Sequence, residues 1–395
     1  MAATLRFVSG AAALPGLRLS LISQDPLEKL PADLRARLAG HWRVDDCFNP
    51  AQLVAAARGL AQQLGPLERM IGSLEQLQVP LAEACAALSL PGLTVAAAIN
   101  FRDKNRMKDV FESAGVPCAR HRSVATAAAA TEFASAVGFP IVVKPLAGAG
   151  AKNTFRLNAP AELEQYLSSY PPSSVSPVLF EEFLSGEEFS FDSVMLNGQM
   201  LWHSISSYRP SPLTVVENPW IQWCVLLPRD IDGPQFSGIR GIAERAVSAL
   251  GLRTGMTHME WFRRADGAIA ISEVAARPPG AQFTTLISYA HDMDFYRAWP
   301  RLLVFDQFDV PSRKYATGAA YLRGLGAGRV AAIDGLDVIH REFGDIIVEA
   351  NWPRPGVTQS TGYEGIGHVI YRHADTERVE RALRRTVEVV RVRLV

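Results

Sequence analysis

The sequence predicts an α/β protein, and three observations carry that expectation. Up to about residue 95, short β-type runs (LRFVS, LRLSLIS) alternate with Ala- and Leu-rich helical patterns (PAQLVAAARGLAQQLG, LAEACAALSL), the rhythm of a βαβ domain with a parallel sheet. An apolar run, FPIVV, leads into Lys144 and a glycine-rich loop before a second run, TFRL. Two hairpin signals, Asn197-Gly198 and Asp266-Gly267, sit between β-rich segments, where glycine supplies the positive φ of a tight turn.

The elements follow in order. FRDKNRMKDVFESAG is a helix candidate, with Asp103 as its cap and Gly115 as its stop. FPIVVKPLAGAGAKNTFRL reads as strand, glycine loop and strand. PPSSVSP is a surface loop, and PVLFEEFLSGEEFSFDSVMLNGQMLWHSIS reads as strand, kink and hairpin. An irregular aromatic segment, SYRPSPLTVVENPWIQW, precedes the helix PQFSGIRGIAERAVSALG. From about Tyr315 short strands mix with a final helix, DTERVERALRRTVEVV. GLGAG at Gly324 to Gly328 reads as a turn.

A chain of 395 residues with 48% hydrophobic content fits two to three domains with real cores. Forty basic residues balance forty acidic ones, so no general attraction to nucleic acid or to an acidic membrane is encoded. The apolar runs fall short of the roughly 18 residues of a membrane helix. Pro and Gly interrupt MAATLRFVSGAAALPGL, which argues against a signal peptide. Cys47, Cys85, Cys118 and Cys224 lie far apart without CxxC pairing, which argues against zinc and against a disulfide framework and points to a reducing cytoplasm.

The chemistry concentrates in MTHMEWFRRADGAIAISEVAARPPG. If Arg263 pairs with Ala268, Glu260 faces Ile271. A turn pairing Ala265 with Ala268 sets Glu260 opposite Glu273. In both registers the two carboxylates leave one face of the sheet within roughly 8 Å, close enough to need a cation or ample water between them. Oxygen ligands of this kind suit magnesium bound together with phosphates. Arg277, four residues after Glu273, can hold a planar anion through two hydrogen bonds. In KPLAGAGAKN the glycines expose backbone N–H groups to a phosphate, and Lys144, leaving a buried strand, needs a counter-anion. The loop is neither a Walker A motif nor a dinucleotide fingerprint.

Taken together, DKNRMKDVFESAGVP, VVKP with its glycine loop, EEFLSGEEFS, HMEWF and SEVAARPPG resemble the ATP-grasp superfamily over about residues 1 to 305. The whole chain is similar to the branch of L-amino-acid ligases and related carboxylate-amine ligases. The resemblance implies an ATP-grasp fold, two α+β subdomains clasping ATP, after a Rossmann-like α/β domain. Its implied divisions are 1–97 (N-terminal α/β), 98–185 (small lid subdomain with its linking helix), 186–305 (catalytic core) and 306–395 (C-terminal subdomain). It implies that Lys104 and Lys144 contact ATP phosphates under the Gly148 to Asn153 loop, with Gly148, Gly150 and Asn153 as cofactor contacts. Glu181, Glu182, Phe183 and Leu184 form the adenine hinge, and Glu188 binds ribose. Glu260 and Glu273 hold one or two magnesium ions, or manganese, and Arg277 steadies the transferred phosphoryl group. One position departs from the pattern: Ala275 stands where relatives commonly carry a metal-binding Asn.

The implied reaction is ADP-forming. A carboxylate becomes an acyl-phosphate and couples to an amine, so the partners are small-molecule acids and amines in the cytoplasm, with no nucleic acid and no membrane; the sequence leaves the oligomeric state open, and the resemblance implies a homodimer as one option. His258, His203 and Glu217 are candidate acceptors of the amine proton. Tyr208, Trp220 and Trp223 are candidates for an amino-acid pocket, and Gln282, Thr284 and Thr285 follow the Arg277 turn. Two other readings stay open at this point: a biotin-carboxylase or purine-biosynthesis type enzyme using bicarbonate or formate, and a non-catalytic nucleotide-binding regulator.

Overall fold

Helix α1 (Ala2–Ala12) opens the chain in the computed structural model, which describes residues 2–148, 150, 153–218, 220–325, 327–360 and 362–395. The LRFVS run expected as a strand lies inside this helix. Phe7 packs its ring on Tyr296 and Trp299 at centroid distances of 4.7 and 5.1 Å, and at Gly10 a Cβ would collide with the backbone at Tyr296. Tertiary packing here outweighs the β-propensity of the segment.

A parallel pair follows as β1 (Ser20–Ser23), inside the expected LRLSLIS run, and β2 (Gly40–Arg43), a strand the sequence did not single out, connected through α2 (Ala32–Arg35). Beside them α3 (Pro50–Leu64) starts at Asn49, whose side chain accepts from Ala51 N and Gln52 N. Next come α4 (Gln78–Ala87), α5 (Val95–Arg102) and α6 (Lys104–Ser113). The helix expected with Asp103 as its cap is α6, while Phe101 and Arg102 belong to the end of α5, and the two helices meet at Asp103. That residue ends α5 and caps α6 by accepting from Arg106 N at 3.0 Å, and Gly115 stops the turn beyond α6 at φ +64.

A small antiparallel sheet comes from β3 (His121–Val124), α7 (Ala127–Val137), β4 (Ile141–Pro145), β5 (Phe155–Leu157), α8 (Pro160–Ser169) and β6 (Val178–Glu182). Its strand order is β3-β6-β4-β5. Phe133 of α7 and Tyr166 of α8 pack on Phe180 and cover one face. The other face carries Lys144 and Glu181.

The larger sheet begins with the hairpin β7 (Glu187–Leu196) and β8 (Gln199–Arg209), turned at Asn197 (φ +54) and Gly198 (φ +85) as expected. The chain continues through α9 (Pro212–Glu217), β9 (Trp223–Leu227), α10 (Ile239–Leu250), β10 (Gly255–Arg263), β11 (Ile269–Ala275), α11 (Phe283–His291), α12 (Phe295–Phe305) and β12 (Ala316–Leu322). It closes with β13 (Gly324–Leu325), β14 (Val330–Asp334), α13 (Leu336–Phe343), β15 (Ile347–Asn351), β16 (Gly367–His373), α14 (Thr376–Val389) and β17 (Arg391–Leu394). Eight strands in the order β11-β10-β7-β8-β9-β12-β16-β15 form one antiparallel sheet, so β12, β15 and β16 extend the sheet that carries the β10–β11 hairpin, while β13, β17 and β14 form a separate three-stranded sheet. Phe191, Met259, Trp261 and Ile271 are buried between this sheet and α10. The GLGAG segment is partly strand rather than turn, because Gly324 and Leu325 pair with β17; Gly326 lies outside the described residues.

Candidate active site

The β10–β11 hairpin sets the geometry. Arg264 N donates to Ala268 O at 2.8 Å, Gly267 N donates to Arg264 O, and Gly267 takes φ +85: a three-residue turn ending in a left-handed glycine. The strands therefore start in neither of the two expected registers, and Arg263 lies opposite Ile269. Continued unbroken, that register would pair Glu260 with Ser272 and turn Glu273 to the other face. A bulge between Glu260 and Trp261 shifts the pairing by one residue and sets Glu260 directly opposite Glu273. On the next strand Glu188, Ser190 and Asp192 lie opposite Phe262, Glu260 and His258, so Glu188 shares the face of the glutamate pair.

The small sheet supplies the facing cations. Lys144 is 9% exposed, and its Nζ meets Glu181 Oε2 at 2.9 Å. Fully buried Lys108, absent from the sequence reading, reaches Glu181 Oε1 at 3.3 Å and donates to Ser272 O at 3.0 Å. It stands four residues after Lys104, on the same face of α6. Lys104 Nζ lies 2.9 Å from Glu273 Oε2 and donates to Gly148 O at 3.3 Å, linking the glycine loop to the hairpin. Arg277 Nε donates to Glu75, whose other oxygen takes Arg102 at 2.7 Å. Glu75, preceding α4, is a second residue the sequence did not single out.

These groups enclose a cavity of about 300 Å³. Among the expected residues it is lined by Lys104, Lys144, Gly148, Gly150, Glu181, Glu182, Phe183, Leu184, Glu188, Glu260, Glu273 and Arg277. Asn153 takes φ +56, is exposed and is not part of the lining; Ala149, Ala151 and Lys152 of the same loop lie outside the described residues. His258, Tyr208 and Trp223 line the cavity. His203 and Glu217 do not: His203 stacks on Phe191 and Glu217 pairs with Arg156 at 2.8 Å. Trp220 is 58% exposed, and Thr284 donates to Pro279 O as a structural contact. Pro219, beside Trp220, lies outside the described residues. Tyr363 and Glu364 complete the wall from the far end of the chain. Glu182 also bonds Arg120 and Arg264, tying the hinge strand to the hairpin turn.

The electrostatics set three buried carboxyls against one another. Burial, followed by Glu260 and Glu273, pushes the Glu188 carboxyl well above the ordinary carboxylate range. Burial and then Glu273 also push Glu260 up. Glu273, against its burial, is held low by Lys104 and Lys144. Buried like charges of this kind favour a proton or a metal between them, and the donor set is all oxygen, which fits magnesium. The Ala275 methyl, also at the cavity, offers no ligand atom. His258 Nδ1 lies 2.7 Å from Asp192 Oδ1, and against its burial this neighbour raises the imidazole.

Residues 109–291 match the ATP-grasp domain family, so this stretch is an ATP-grasp domain. The chain is similar to an L-arginine-specific L-amino acid ligase of Bacillus subtilis, 23% identical over 68% of this chain and 67% of that protein. Its fold is that of an L-amino acid ligase from Bacillus licheniformis, with a TM-score of 0.79 at 20% identity over 98% of this chain and 95% of the other. It also resembles N5-carboxyaminoimidazole ribonucleotide synthetase from Thermotoga maritima, with a TM-score of 0.73 at 17% identity over 99% and 97%. The chain spans 66 to 67% of the length of three of the curated relatives it matches. No helix among the described residues is long and apolar enough to cross a membrane.

Proposed function

We propose that this chain is an ATP-dependent, ADP-forming ligase that activates the carboxylate of an amino acid or small acid and joins it to an amine. The observation that supports this most is the opposed, buried pair Glu260–Glu273, ringed by Lys104, Lys144 and Arg277 around one cavity. Similarity to amino acid ligases points the same way. In this reading Lys104, Lys144 and the loop at Gly148 and Gly150 bind phosphates, and Glu181 to Leu184 with Glu188 hold the nucleoside. Glu260 and Glu273 would hold magnesium, one ion on the strength of Ala275, and the metal would supply neutralisation of phosphate charge. Phosphoryl transfer needs mainly such positioning and charge.

A carboxylate oxygen attacks the γ-phosphorus, and the bond to ADP breaks. The amine nitrogen then attacks the acyl carbon, phosphate leaves with the bonding pair, and the amine proton passes to a base. His258, held by Asp192, is the one of the three candidate acceptors that lines the cavity. Arg277 steadies the acyl-phosphate once it leaves Glu75. Incubation with ATP, magnesium and a panel of amino-acid pairs should release ADP and phosphate with a peptide-like product. ADP release driven by bicarbonate without any amino acid would replace this reading with the purine-biosynthesis type, and nucleotide binding without turnover would make the chain a regulator.

A further inference from the structure

On the side of α6 away from the cavity lies a second cluster of groups that bind metals. Strand β3 places His121 directly opposite Glu181 on β6, and α6 lies across both residues. Lys108 reaches Glu181, while Asp109 and Glu112 reach His121. The His121 side chain is 3% exposed, with Nε2 3.0 Å from Asp109 Oδ1 and Nδ1 3.4 Å from Glu112 Oε1. Nδ1 is buried without a hydrogen-bond partner. Cys118, three residues before His121, brings its sulfur to the same point: one ligand atom each from Glu112, Cys118 and His121 lie within 4.8 Å of one another.

We propose that Glu112, Cys118 and His121 form a binding site for a thiophilic divalent cation of the zinc class, separate from the magnesium site. Metal bonds of about 2.0 to 2.3 Å put tetrahedral ligand atoms roughly 3.3 to 3.8 Å apart, so small side-chain rotations close the site. A metal on Nδ1 leaves Nε2–H to donate to Asp109, the carboxylate-histidine arrangement that fixes the ring of a metal-bound histidine. Sulfur, nitrogen and oxygen together select zinc or cobalt over magnesium. The spacing of the cysteines argued against zinc because it looked for thiols in pairs; here one thiol meets a histidine and a helix glutamate. The site also has a mechanical place. Cys118 bridges to Ile271 of the large sheet, and Ile271 N donates to Pro117 O, whereas His121 belongs to the small sheet. A bound ion would clip the two sheets together where the chain passes between them.

The test is cobalt titration of the full chain, stripped with a chelator and kept in excess magnesium to fill the glutamate pair. One equivalent should bind with a thiolate-to-cobalt charge-transfer band and tetrahedral visible absorption, and zinc should displace it. Cys118→Ser should abolish the band. Glu112→Gln, at an exposed residue whose loss spares the fold, and Asp109→Asn should each weaken binding about 10-fold or more. Absence of the band, or a band that survives Cys118→Ser, overturns the proposal and leaves His121 as a buried histidine held between Asp109 and Glu112.

Discussion

Replacing Lys108 with methionine keeps the aliphatic stem of a fully buried side chain and removes its charge. Glu181, itself 5% exposed, would keep only Lys144, at 2.9 Å. Removing one partner of a buried ion pair costs about 3 to 5 kcal/mol. Two features select the lower end of that range. Lys144 still compensates the carboxylate, and Lys108 stands 3.3 Å from Oε1 without hydrogen-bond geometry. The expected loss is about 3 kcal/mol at pH 7, read from urea unfolding of wild type and variant. Glu181→Gln in the Lys108→Met background should recover part of it, with a coupling above ~1 kcal/mol in the double-mutant cycle. A loss below ~1 kcal/mol with no coupling to Glu181 would refute the buried triad as a stabilising unit.

Arg277→Ala should lower kcat by about 100-fold while ATP affinity changes little, because its contact is made mainly in the transition state; unchanged kcat in steady-state kinetics refutes that role. Gly186 takes φ +144, and a Cβ there would collide with the Arg263 carbonyl, so Gly186→Ala should cost about 2 to 3 kcal/mol by chemical denaturation and loosen the β7–β10 edge. An unfolding midpoint equal to wild type contradicts it. Glu349 is lowered to about 2, first by neighbouring His368 and then by Arg6, against the effect of its burial. The stabilisation it gives is present above the unfolded value of 4.5 and is lost as pH falls through about 2. Glu349→Gln should therefore cost ~1 kcal/mol at pH 7, after solvent screening, and progressively less below pH 4.5. A deficit that persists unchanged in acid melts tells against the ion pair. In limited proteolysis, cleavage near Gly148 should slow when ATP is added, because such loops close over phosphates; equal rates argue against a lid.

Local chemistry was legible wherever a residue decides its own surroundings. Asp103 caps a helix because its carboxylate is in reach of Arg106 N, and Asn197-Gly198 turns a hairpin because both accept positive φ. The order of motifs put twelve expected residues around one cavity, carried on strands, on the loops between them and, for Lys104, at the start of α6. What escaped depends on packing. LRFVS became helical against Tyr296 and Trp299, partners nearly 300 residues away in sequence. The pairing of Glu260 with Glu273 is the one a turn joining Ala265 to Ala268 predicts, but it is reached through a three-residue turn and a bulge that leaves no mark in composition. Lys108 did leave a signal, the i, i+4 spacing from Lys104. Glu75 left none, because its meaning comes from Arg102 and Arg277.

The contact of Glu75 with Arg102 and Arg277 bears on how this site can be cut out, exchanged or inherited. The stretch with family likeness starts at residue 109, yet the cavity takes Glu75 and Lys104 from before that point and Tyr363 and Glu364 from well after residue 291. A fragment trimmed to 109–291 would keep Glu260 and Glu273 but lose Lys104, which pairs with Glu273, and Glu75, the acid that engages Arg277. Grafting a different leading segment onto this domain would accordingly change the chemistry of the pocket wall as well as its outer casing. The inherited module and the working pocket have different edges, and substrate preference in relatives has room to drift through segments that the shared module does not contain.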